Sequence, residues 1–161
     1  MAHRKTIRTL TLVLLALVCV MARTTSAKEP PADLCSLLPA PQVSTITGQP
    51  YDAPQKTVAP RPYANTVEGA DCSYKKSKGS GGDILFRAYA DPSPSDAAAL
   101  FAKLGLFYSP QTPVAGLGDK AYFDPNHGLH VLKGRVRFFI DMGAFDEKQA
   151  KALASYVVSQ F

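Results

Sequence analysis

Residues 113–142, PVAGLGDKAYFDPNHGLHVLKGRVRFFIDM, constrain the fold more than any other stretch. Val136, Phe138, Ile140 and Met142 recur at period two, with Arg135, Arg137, Phe139 and Asp141 between them. That alternation describes a strand with one face on a core and the other at least partly wet. Lys133-Gly134 separates it from Leu129–Lys133, and a glycine there suits a tight hairpin. Lys120–Asp124 reads as a third strand, leaving through Pro125-Asn126-His127-Gly128. Gly116-Leu117-Gly118-Asp119 leads in as a structural bend; it lacks the spacing and following helix of a phosphate loop. Three antiparallel strands exclude a purely helical domain and require helices to cover a face.

The flanks supply them. Ser93 can cap a helix that has Pro94 in its first turn, with Ala97, Leu100, Phe101 and Leu104 as one stripe. Asp146 and Gln149 are spaced as a capping box before Ala150, Leu153, Val157 and Phe161. A short helix is expected over about 41–47, stopped by Gly48. Ala70–Lys76 and Asp83–Ala90 read as strands around a basic, glycine-rich tip. Between helix and strand, Gln49–Gly69 holds Pro50, Pro54, Pro60 and Pro62; it reads as a surface loop with at most one edge strand near Gln55–Ala59. The expected fold is α+β: an antiparallel sheet of about five strands, helices on one face, in the order α-β-β-α-β-β-β-α.

The 161 residues suffice for one ordinary domain. Residues 1–27 have the form of a signal peptide: Arg4, Lys5 and Arg8, an apolar run over Leu10–Met21, then Thr25-Ser26-Ala27. Cleavage is expected after Ala27, with Ala22 the alternative. The apolar run is short for a membrane span, and Val18 before Cys19 argues against lipidation. The chain is therefore read as exported, periplasmic or extracellular, with residues 28–161 forming a single domain. Four of the 18 basic residues fall in the leader, so the formal +5 becomes +1 for residues 28–161. That balance gives no case for nucleic-acid binding. Cys35 and Cys72 remain, and an exported lone pair is expected to form a disulfide, contributing roughly 4 kcal/mol in the chain-entropy model.

Several of these parts stand in a familiar order. Asp33-Leu34-Cys35-Ser36-Leu37-Leu38 opens it, and Asp71-Cys72-Ser73 places the second cysteine on a strand. Val114-Ala115-Gly116-Leu117-Gly118-Asp119-Lys120-Ala121 follows, and a helix closes the chain. Over most of residues 33–160 this resembles a large group of small exported bacterial domains, many of them lipoproteins, known as a domain of unknown function. The resemblance implies an α+β fold and the Cys35–Cys72 bridge. It implies no reaction, since none is established for the group. This chain lacks a lipid-attachment site of the kind common there, so no anchor is expected.

Three surfaces compete for the function. If the strands pair as expected, Arg87, Tyr89, Tyr122, His130, Arg135, Arg137 and Phe139 share the sheet's outer face. Arginines beside aromatics suit an anionic or glycan-like ligand, or a protein partner, so a non-catalytic binding or accessory module is the leading reading. The first alternative is a metal-dependent envelope enzyme using Asp124, His127 and His130, although residues on a turn running into a strand need not converge. The second is a structural or inhibitory protein acting through the proline-rich loop 50–68. No Gly-x-Ser-x-Gly elbow and no free thiol nucleophile is expected, and neither a metal nor a cofactor. The partner is expected to be an envelope ligand or protein, and the chain a monomer.

Overall fold

The computed structural model describes residues 28–79 and 82–161; the proposed leader and part of the glycine-rich tip lie outside the described residues. Seven strands form one fully antiparallel sheet: β1 (Gln55–Ala59), β2 (Gly69–Tyr74), β3 (Ile84–Ala90), β4 (Thr112–Pro113), β5 (Lys120–Phe123), β6 (Leu129–Lys133) and β7 (Val136–Met142). Their order across the sheet is β1-β2-β3-β7-β6-β5-β4. The helices are α1 (Ala40–Thr47), α2 (Pro94–Gly105) and α3 (Glu147–Val158).

The sheet therefore exceeds the expected five strands, and the order of elements changes with it. One addition is β1, which its flanking prolines restrict to an edge. The other is β4, two residues pairing Thr112 with Phe123 and Pro113 with Tyr122. It is too short to carry any alternation in the sequence.

Helix placement also departs from expectation. The residues at period two on β7, together with Cys72, Tyr74, Phe86, Leu129 and Val131, form the main core with α1 and α3. On α3, Ala150, Leu153, Ala154 and Val157 are buried, behind an Asp146 carboxylate that accepts from Gln149 N at 3.0 Å. The disulfide links Cys35, in a 3-10 turn over Leu34–Leu37, to Cys72 on β2 within this core. By contrast, α2 lies on the opposite face. Its Ala97 and Phe101 pack on Tyr122 of β5 and Leu132 of β6. Helices thus cover both faces, because β5, β6 and β7 carry large apolar residues on both sides. A sheet apolar on two faces must be covered on both. The caps are those the sequence implies: Ser93 Oγ accepts from Asp96 N at 3.1 Å.

The bend at 116–119 is structural. Leu117 is buried, and the Asp119 carboxylate accepts from Gly134 N and Lys133 Nζ, tying the bend to the β6–β7 hairpin. Burial opposes ionisation of Asp119, but these donors outweigh it and hold the carboxyl below its ordinary range.

Candidate functional site

Position on the strands decides which side chains meet. In β3, Ile84, Phe86 and Ala88 enter the main core, so Arg87 and Tyr89 project from the other side. Arg87 stands directly across from Asp71 on β2, and Phe139 of β7 lies between Arg87 on one neighbour and His130 on the other. Tyr122 faces His130 across β5 and β6. Six of the seven residues expected on the outer face therefore adjoin: Arg87, Tyr89, Tyr122, His130, Arg137 and Phe139. They line one cavity of about 250 Å³, closed by Phe101 and Leu104 of α2, by Tyr108 just beyond it, and by Pro60-Arg61-Pro62.

Arg135, the seventh, is elsewhere. β7 begins at Val136, so Arg135 sits at the hairpin turn. Its guanidinium donates to the Asp91 carbonyl at 3.2 Å and pairs with Glu29, in a separate depression. The alternation placed it correctly only if the strand had extended one residue further.

Two of the three cavity arginines, Arg87 and Arg137, are held by neighbouring acids. Arg137 forms a bidentate pair with Asp91, Nε to Oδ2 at 2.5 Å and Nη2 to Oδ1 at 3.0 Å. Both side chains are nearly sealed from solvent, at 4 % and 0 % exposure. Arg137 also lies 4.7 Å from the Tyr89 ring centre. Arg87 forms the same kind of pair with Asp71, at 2.6 and 2.7 Å. Tyr89 Oη donates to the Pro60 carbonyl at 2.9 Å, joining the proline-rich segment to the cavity wall. Gly69 on β2 permits this: any Cβ there would collide with the Tyr89 ring and the Ala88 carbonyl.

His130 is packed by rings. It stacks on Tyr122 at 4.8 Å and meets Tyr108 and Phe139 at 4.6 and 4.7 Å. Its Nε2 lies 2.9 Å from Asp124 Oδ2, while Asp124 Oδ1 accepts from the N–H groups of Asn126 and Gly128. A neutral imidazole meets a carboxylate by donating Nε2–H, which leaves Nδ1 as an acceptor. Burial pushes the His130 pKa below its ordinary value, against the opposing pull of Asp124. Burial also pushes the Tyr122 hydroxyl up to about 12, with Tyr108 and Asp124 adding to it.

The triad considered for a metal is split. His127 turns the other way and stacks on Phe145 at 4.4 Å, against the side of the sheet that carries Phe123 and α3. The cause is backbone: His127 takes a φ of +68° within the turn that Asp124 organises. Among the described residues no three His, Cys, Asp or Glu side chains are grouped to hold a metal ion. Among the described residues no Ser, Thr or Cys lines the cavity, so the Asp124–His130 pair has no aliphatic hydroxyl or thiol beside it of the kind such a pair activates as a nucleophile.

Sequence reasoning missed Asp71, Asp91, Phe101, Leu104 and Tyr108 as parts of this site. Asp71 could have been found from the register with Arg87. Asp91 depends on where the chain leaves β3, and Phe101, Leu104 and Tyr108 on which face α2 covers.

No family model matches the chain, and no curated protein matches it. The likeness to exported domains of unknown function therefore rests on its short motifs.

Proposed function

We propose that this is an exported, non-catalytic binding module that takes a small ligand into the cavity between its sheet and α2. One observation supports this above the rest: six outer-face residues chosen from sequence line a single cavity in which Arg87 and Arg137 are already paired and held in place. Fixed polar groups in a concave, ring-lined space are the usual make-up of a small-molecule site. Ordering them costs nothing further when a ligand enters.

The proline-rich segment belongs to this reading. Residues 50–68 contain β1 and the Pro60 carbonyl that anchors Tyr89, so they form part of the domain and the cavity wall. Deleting them would remove an edge strand along with any partner contact.

The test is a fragment screen followed by backbone NMR on the oxidised protein. Binding should shift amides of β3, β6 and β7 around Arg87, His130 and Phe139. Leu104→Trp, which puts an indole in the cavity's place, should abolish those shifts and leave the α3 amides unchanged. Shifts confined to other surfaces, or unaffected by Leu104→Trp, would reject the proposal.

A further inference from the structure

The charged groups that reach the cavity are all of one sign. Arg61, Arg87 and Arg137 line it beside the neutral His130, and no Asp or Glu does. Their acids pair with them without lining the cavity: Asp71 with Arg87, Asp91 with Arg137, and Glu68 with the exposed Arg61. Coulomb energy falls with distance, so each pair acts on the cavity as a dipole with its positive end inward. Salt screens the buried pair less than it would a surface pair.

Each arginine also keeps donors in reserve. A guanidinium has five N–H groups. Asp91 and Asp71 each occupy the Nε and Nη2 edge. The edge between Nη1 and Nη2 still offers two parallel N–H groups, the fork that fits a carboxylate. Among the described residues no acceptor bonds Nη1 of either arginine. Nor is either atom sealed away, since the side-chain polar atoms both buried and unpartnered are Tyr63 Oη and Arg135 Nε. These forks are held in place by the acids before any ligand arrives.

The walls set the rest of the ligand. Tyr89, Tyr108, Tyr122, Phe101 and Phe139 are aromatic, and a flat ring stacks on such surfaces. The cavity's 250 Å³ matches about eight waters at liquid density, so it admits one ring and one small polar group. A dianion fits poorly, because the unit charge of each of Arg87 and Arg137 is already balanced by its own acid.

We infer that the ligand class is a small aromatic monocarboxylate, its ring among the aromatic walls and its carboxylate on the open edges of Arg87 and Arg137. This rests on the cavity being the binding site, as proposed above.

The test compares matched probes by calorimetry and backbone NMR on the oxidised protein: phenylacetate, phenylacetamide, acetate and inorganic phosphate. Phenylacetate should bind at least about tenfold more tightly than each of the others, as expected for a charge-assisted fork. Arg87→Gln is the matching variant, because Arg87 is about one-third exposed and its loss leaves the buried Arg137–Asp91 pair intact. It should reduce the preference over phenylacetamide to below about threefold. If phenylacetamide binds as tightly as phenylacetate with shifts at the cavity, the carboxylate inference falls and the cavity reading stands. Phosphate or acetate matching phenylacetate would overturn the requirement for a ring. If no probe binds, the carboxylate inference falls, while the cavity reading is decided by the Leu104→Trp screen.

Discussion

The two faces of the sheet use the same strands to opposite ends. Toward α1 and α3, Val43, Phe86, Leu129, Val131, Leu153 and Val157 are essentially without solvent contact and pack directly on one another. A disulfide crosses the same layer. Toward α2 the buried apolar cluster among the described residues is Ala97, Phe101, Tyr122 and Leu132. The rest of that face is filled by paired charges, by rings, and by a cavity. The helices explain the contrast. α3 presents a full stripe of buried residues, whereas α2 approaches through alanine and one phenylalanine, beside the β5–β6 end. A face closed by aliphatic packing supports the fold and leaves no room. A face on which polar pairs take the place of aliphatic packing leaves a partly open, ring-lined space, the kind of space that recognition uses.

The largest effect should come from Asp91→Ala. Removing one partner of a sealed ion pair leaves an uncompensated charge and costs about 3–5 kcal/mol. Urea denaturation should show this, and the amides of β3 and β7 around the cavity should shift even where the protein remains folded. Leu153→Ala on the opposite face should cost about 3 kcal/mol through lost burial and the void left behind. Its cavity amides and probe binding should be unchanged. A stability loss without any cavity response in Asp91→Ala would erase the distinction between the faces. So would a cavity response in Leu153→Ala.

Much of the closed face was legible in the sequence. Period two on β7 and the spacing of Ala150, Leu153 and Val157 depend only on local geometry, and both appear in the core. The glycine and serine signals at helix ends are local in the same way. The side taken by α2 was harder to read, because a crossing helix can pack on either face. A signal existed nonetheless: Tyr122-Phe123, Val131-Leu132 and Phe138-Phe139 are adjacent apolar pairs on three neighbouring strands. Such pairs place apolar surface on both faces. The partners of Arg87 and Arg137 were beyond local reasoning. Asp71 becomes visible only once β2 and β3 are in register, and Asp91 only once the chain leaves β3 beside Arg137. Arg135 was misplaced by a single residue of strand length, the least predictable property of any element.

The smallest effect separates the faces by pH. His130 sits on the cavity face, among Tyr108, Tyr122, Phe139 and Asp124, with its folded pKa below the ordinary value of 6.5. As pH falls, the unfolded chain takes up this proton before the folded one does, so the equilibrium moves toward unfolding. The contribution of His130 is complete above pH 6.5 and is lost as pH falls toward its lowered folded value. Asp33, bonded by Lys56, and Asp119 also have lowered values, and their losses run in the same direction. They begin only as pH approaches 3.8, and so lie outside the His130 window. On the closed face, burial holds the Tyr74 hydroxyl far above neutral pH, which makes it silent here. Unfolding free energy should therefore hold from about pH 7.5 to about pH 6.5 and decline from there to about pH 5.5 in the native protein. His130→Phe removes the proton site, while Asp124 keeps the Asn126 and Gly128 N–H groups. That variant should be flatter over the same range. An equally steep decline in His130→Phe would move the acid sensitivity away from the cavity face.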